Sequence, residues 1–163
     1  MLYIFGYGSL LFPLGINGRG LSRVYEDKDL IDAWITGYRR EWNACWNERF
    51  LGLVQDHARL VNGVIFPLND KDFSRFASSE GSSLSNPNPV YKFVDIRIQL
   101  GIDPEADVVL TPNDKVLACV TNKPSYEGKV SERYLNLIKL AAHSRGGSFE
   151  SEFWATTPRL PNA

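Results

Sequence analysis

Apolar runs separated by short polar clusters set the first expectations for this chain. Leu2 to Phe5 is apolar and opens directly onto Gly6-Tyr7-Gly8, so it reads as a buried strand that ends in a glycine turn. Between Trp34 and Trp46 the rings Trp34, Tyr38, Trp42 and Trp46 share one parity. In an extended chain they fall on one face, which predicts a long strand or a bent strand pair, with Gly37 at a bulge. "RLVNGVIFPL", residues 59–68, predicts another strand, closed by Pro67. "VYKFVDIRIQL", residues 90–100, alternates, with Val90, Val94, Ile96, Ile98 and Leu100 on one face and Tyr91 and Phe93 on the other. "KVLACVT", residues 115–121, is β-branched enough for one more strand.

Two segments have helical spacing instead. Phe73, Phe76 and Ala77 point inward on a short helix capped by Asn69 or Asp70 and stopped by Gly81. Val130, Tyr134, Leu137, Ile138 and Ala141 define a longer helix from about Ser131 to His143, ended by Gly146-Gly147. "SSLSNPNP", residues 82–89, carries Pro87 and Pro89 among serines and asparagines and is expected to be a loop. Neither a repeat nor a change of composition divides the chain. Residues 1–163 are therefore expected to form one α+β domain, a small curved antiparallel or mixed β-barrel with flanking helices.

Composition narrows the function. With 44% hydrophobic and 23% charged residues the chain can bury a sizeable core. Lys plus Arg number 18 against 19 Asp plus Glu, so no basic stripe points to nucleic acid. No apolar run approaches membrane-spanning length, and residues 1–5 are too short and uncharged for a signal peptide. Cys45 and Cys119 fit no metal or redox spacing and read as reduced core residues. These features lead to the expectation of a cytoplasmic protein with no membrane, nucleic-acid or metal partner.

"FGYGSLLF", residues 5–12, is the first candidate for chemistry, because glycine adds no side chain to a core and two of them bracket Tyr7. A dinucleotide fingerprint would need a third glycine where Leu11 stands. Ser9 as a nucleophile lacks the Gly-x-Ser-x-Gly elbow, and His57 and His143 are the only imidazoles that could serve as its base. Two readings remain: a plain tight turn, or a nest of backbone N–H groups that holds a carboxylate or an oxyanion. Glu80, at the end of the short helix and beside Gly81, is the second candidate. It is either a solvated helix-end glutamate or a residue kept at an electrostatically unfavourable place for a purpose.

Taken in order, "FGYGSL", the Glu80-Gly81 pair, the Tyr91-led strand and "SERYLNLIKLAAHSRG" resemble the γ-glutamylcyclotransferase-like family. "NGVIFPL" is similar to that family's Val-x-Gly-x-x-Tyr strand, and the likeness runs from Leu2 to about Gly147. Two departures stand out. Phe76-Ala77 occupies the place of the family's Leu-Asp, and the loop after Gly81 is long and bears prolines. Leu10 in place of Asn is similar to the glutathione-specific branch.

The resemblance implies an enzyme that cyclises a small γ-glutamyl compound and releases 5-oxoproline and an amine or amino acid, without metal or cofactor. It implies Glu80 as the catalytic acid–base. It implies Tyr7, Gly8, Ser9 and Leu10 as the element that binds the glutamyl end, and Tyr91 as a hydroxyl donor to substrate or to Glu80. Tyr91 is equally readable as a barrel aromatic, and Tyr134 as a ring packed on the sheet. Glu41 and Glu48 are the carboxylates to consider if Glu80 is not the base. The alternative function is a non-catalytic binding module for a γ-glutamyl or amino-acid-like ligand.

Overall fold

The computed structural model of the protein describes residues 1–82 and 85–161, so part of the expected 82–89 loop, Ser83 and Leu84, lies outside the described residues. β1 (Leu2–Gly6) is followed by a short helix α1 (Pro13–Asn17), then by the long strands β2 (Ile31–Trp46) and β3 (Glu48–Leu68). α2 (Phe73–Ser79), β4 (Tyr91–Asp95), β5 (Leu100–Ile102) and β6 (Lys115–Thr121) come next, and α3 (Glu132–Ser144) and α4 (Gly147–Ala155) complete the order. The strands form one sheet in the order β4-β6-β1-β3-β2-β5. Only β1 and β6 run parallel, and the other pairs are antiparallel.

The sheet is mixed, as expected, and curls into a half-barrel rather than a closed barrel. β4 and β5 are its two edges and do not pair with each other. β1 is central, paired along one edge with β3 and along the other with β6, and its Ile4 and Phe5 are fully buried. The β2–β3 hairpin turns at Asn47, whose φ of 65° is the left-handed value that asparagine tolerates. The predicted 59–68 strand is the second half of β3. The first half, from Glu48, did not stand out in sequence because polar residues Gln55 to Arg59 interrupt its apolar pattern.

Two bulges change the expected faces. The register of β2 against β3 shifts between Thr36 and Tyr38, at Gly37, and again between Trp42 and Ala44. Each shift exchanges the inward and outward sides. Trp34 is consequently exposed, Tyr38 and Trp42 are buried, and Trp46 is half-buried against Phe50 and Tyr91. The four rings do not share one face. The 90–100 segment also differs from expectation: it leaves the sheet after Asp95 and turns through residues 96–99, which puts Ile98 in solvent while Ile96 stays buried.

The helices follow their apolar spacing. In α3, Tyr134, Ile138 and Ala141 are buried, Leu137 is half-buried, and the Ser131 hydroxyl caps the first turn by accepting from Tyr134 N–H at 3.1 Å. α2 buries Phe76 and Ala77 and is entered through a single 3-10 turn at Asp70–Asp72. Neither Asn69 nor Asp70 caps it, and Asn69 Nδ2 donates to the Ser22 hydroxyl instead. Gly146-Gly147 ends α3 and at once begins α4, which buries Phe149 and Phe153. No described helix is long and apolar enough to cross a membrane. Both cysteines are free thiols, Cys119 buried and Cys45 half-buried.

Candidate active site

The glycine turn leaves β1 at Gly6 and winds into one 3-10 turn at Ser9–Leu11, closed by Leu11 N–H on Gly8 O at 3.1 Å. Leu10 and Leu11 are buried and anchor it, and α3 packs over it. Tyr7 O–H donates to Cys119 O at 2.6 Å, which ties the turn to β6. A Cβ at Gly8 would stand 3.6 Å from the Tyr134 hydroxyl and 3.5 Å from Ile138 Cδ1, ordinary contact distances. The position tolerates a methyl group sterically, but that methyl would point at the hydroxyl that lines the site.

Glu80 is delivered from the other side by a C-terminal cap. Gly81 has a φ of 67°, its N–H donates to Ser78 O at 3.1 Å, and Ser82 N–H donates to Ala77 O at 2.9 Å. This pair of bonds is a Schellman motif, and the left-handed residue that it needs is Gly81. The motif turns the chain sharply at Glu80, and Ser82 Oγ–H then holds β4 by donating to Tyr91 O at 2.6 Å. Glu80 itself is 8% exposed.

The two features meet. Tyr7, Gly8, Ser9, Leu10, Glu80 and Tyr91 all line one cavity of about 30 Å³, which Phe5, Leu51, Cys119 and Tyr134 complete. Larger surface grooves exist beside Arg39 and Thr156, about 240 Å³, and beside Leu140 and Trp154, about 480 Å³. Neither holds a buried carboxylate. Glu41 and Glu48 lie outside the small cavity and face Arg39 and Arg133, at 3.5 and 3.1 Å. Among the described residues no three His, Cys, Asp or Glu side chains are grouped to hold a metal ion.

Electrostatically the cavity sets one buried carboxylate against one guanidinium. Burial raises the Glu80 carboxyl above its ordinary value, and the nearby Arg19 guanidinium opposes that rise. Arg19 Nη1 lies 2.6 Å from Glu80 Oε1 as an ion pair, while also donating to Ser79 Oγ at 2.8 Å; Oε1 has no aligned hydrogen-bond donor. Arg19 Nε–H donates to Gly15 O at 3.0 Å, so the guanidinium is fixed across the cavity's carboxylate by three groups. Nothing in the sequence pattern of the 13–23 segment had marked this arginine.

Three tyrosine hydroxyls point into the cavity, and burial pushes all of them above the usual phenol value, so they are neutral donors. Their protons are not equivalent. Tyr7 gives its proton to Cys119 O, and Tyr91 gives its own to Leu51 O at 2.6 Å rather than to Glu80. Tyr134 accepts from Leu51 N–H at 3.3 Å, and its own proton has no acceptor among the described residues. The helical spacing correctly packs the Tyr134 ring, edge-on to Trp42 and Phe50, but hid the hydroxyl's place in the site.

No family model and no curated protein matches this sequence. Solved structures do. The crystal structure of YkqA from Bacillus subtilis superposes with a TM-score of 0.74 over 98% of this chain, at 15% identity, and this chain spans 55% of that one. A structure described as a gamma-glutamyl cyclotransferase gives a TM-score of 0.69 over 97% of this chain and 89% of its own, at 14% identity. A Homo sapiens protein described as uncharacterized gives 0.66 over 96% and 88%, again at 14%. The chain therefore has the γ-glutamyl cyclotransferase-like fold. At these identities the likeness speaks for the fold alone.

Proposed function

We propose that the protein is a γ-glutamyl cyclotransferase-type enzyme, which releases 5-oxoproline and a free amine or amino acid from a small γ-glutamyl compound. The observation that carries this reading is the single cavity shared by the glycine turn and a buried, under-satisfied Glu80. In the reaction the substrate's own α-amine attacks its γ-carbonyl carbon, a ring C–N bond forms, and the bond to the leaving nitrogen breaks. An α-ammonium, with an ordinary pKa of about 8, must first lose a proton, and the leaving nitrogen must gain one. Glu80 is assigned both transfers, and a carboxyl raised by burial suits a group that accepts and then returns a proton near neutrality.

The backbone N–H groups of the Tyr7–Leu10 turn are assigned the glutamyl end. Folding the substrate into its ring-closing shape supplies much of the rate by itself. Tyr134, with its uncommitted proton, is the donor best placed to meet charge developing on the γ-carbonyl oxygen. Tyr91, bound to Leu51 O, shapes the wall. A cavity of about 30 Å³ holds roughly one water, so a glutamyl group enters only when the lining gives way. Mass spectrometry of the protein incubated with glutathione, γ-glutamyl amino acids and γ-glutamyl-ε-lysine tests the reading. Release of 5-oxoproline from one of them supports it. No release from any, with the same compounds binding intact, would make the protein a binding module.

A further inference from the structure

Arg40 is 1% exposed, on β2, and no carboxylate pairs with it among the described residues. All of its hydrogen bonds go to neutral acceptors. Nε–H donates to Tyr7 O at 2.8 Å, Nη1 to Thr156 Oγ1 at 2.8 Å, and Nη2 to Asn62 Oδ1 at 3.0 Å and to Asn62 O. Its plane lies over the Phe153 ring, 4.1 Å from the centroid. Burying a cation with no carboxylate in contact is costly, and hydrogen bonds to carbonyls together with the more distant Glu152 charge offset only part of the cost. Desolvation accordingly lowers this guanidinium to about 9, which still leaves it charged at neutral pH.

The position of the charge explains why it is kept. The carbonyl that Nε–H engages belongs to the same peptide as the Gly8 N–H, and Gly8 lines the candidate site. A donor on a peptide oxygen polarises the whole unit and strengthens its N–H as a donor in turn. We propose that Arg40 is the buried countercharge of the Tyr7–Leu10 turn, a positioning residue that acts through the Tyr7–Gly8 peptide to make the turn select an anionic ligand group. Under the function proposed above, on which the ligand's identity rests, that group is the α-carboxylate of the γ-glutamyl compound. The substrate then brings an anion to the turn that Arg40 supports.

Formate and formamide, alike in size and differing in charge, separate this role from that of a clamp between the turn, β3 and the end of α4. Amide NMR shifts of Gly8 and Ser9 in the intact protein should report formate binding at least about tenfold tighter than formamide. Arg40→Gln should remove that preference while leaving formamide binding unchanged, and Arg40→Lys should retain much of it. A wild-type protein without the preference, or an Arg40→Gln protein that keeps it, overturns the proposal. If Arg40→Gln does not fold, Arg40→Lys decides: a preference retained supports the countercharge, and equal loss of both probes marks a structural clamp. The cyclotransferase reading fails separately, by absence of 5-oxoproline with the formate preference intact.

Discussion

Two carboxylates are buried at opposite ends of the same helix, and they are built for different ends. Asp72, 6% exposed, immediately precedes α2, where the helix dipole favours negative charge. Ser22 N–H reaches both of its oxygens, at 3.1 and 3.2 Å, and the Ser22 hydroxyl donates to Oδ2 at 2.6 Å. Glu80, 8% exposed, caps the C-terminal end, where the dipole opposes it. Its charged partner is Arg19, and Oε1 lacks an aligned donor. The two acids are equally buried, so burial does not tell them apart. Satisfaction does: an acid whose acceptors are filled fixes the chain, and one left short retains its capacity for a proton.

The contrast is broken first at Glu80. Glu80→Gln should keep the fold and lower 5-oxoproline release by about 10²- to 10⁴-fold, the usual contribution of a positioned acid–base. More than a tenth of the wild-type rate would remove Glu80 from the role of base. The same variant carries a stability prediction. Because the Glu80 carboxyl is raised on folding, the native state binds more protons than the unfolded chain between about pH 4.3 and the raised value. Stability therefore falls as pH rises through that window. Glu80→Gln should be at least as stable as wild type at pH 7, with any gain gone below about pH 4 in urea titrations.

Asp72→Asn should do the reverse. It removes the charge that Ser22 serves, which costs about 2 kcal/mol in urea unfolding, and it leaves kcat of the folded enzyme close to wild type. A large fall in kcat with little loss of stability would erase the distinction between the two acids. Gly8→Ala comes next. Its methyl fits without a clash, so thermal unfolding should barely change, whereas KM should rise about tenfold as the methyl meets the ligand beside Tyr134. A KM unchanged beside lowered stability would reduce the glycine to a turn residue.

The smallest effect belongs to Arg19, which opposes the rise of the Glu80 carboxyl. Arg19→Met should move the acidic limb of kcat/KM, which reports the free enzyme, to higher pH. A limb that stays in place would show that Arg19 does not tune the base. A shift to lower pH would mean that Arg19 acts on Glu80 more by shielding it from water than by its charge.

What was legible in the sequence follows from the range of the forces involved. β1, β6 and α3 announce themselves because continuous apolar runs and a capped helical period are local signals. That the six candidate residues belong together was legible through motif order, and all six line one cavity. The orientation of the Trp34–Trp46 rings was not, because each bulge reverses a face and only cross-strand register reveals the second one. α4 was hidden behind glycines that look like a stop. Arg19, Arg40 and Tyr134 were hidden for another reason. Their meaning lies in partners 61, 33 and 83 positions away, as the contacts Arg19–Glu80, Arg40–Tyr7 and Tyr134–Leu51 show.

The parallel pairing of β1 with β6 has a consequence for how this cavity comes into being. The Tyr7–Cys119 bond spans 112 residues, and β6 sits beside β1 only after everything between them has been laid down. Contacts of such sequence separation carry a large loop-closure cost and tend to form late. The β2–β3 hairpin, by contrast, joins neighbouring segments through Asn47. During refolding the hairpin can gather early, yet the wall carrying Cys119 and the helix carrying Tyr134 must dock before a ligand has anywhere to bind. Recovery of ligand binding should therefore lag behind recovery of secondary structure, and a nascent chain would acquire a complete cavity only after β6 and α3 have both been made.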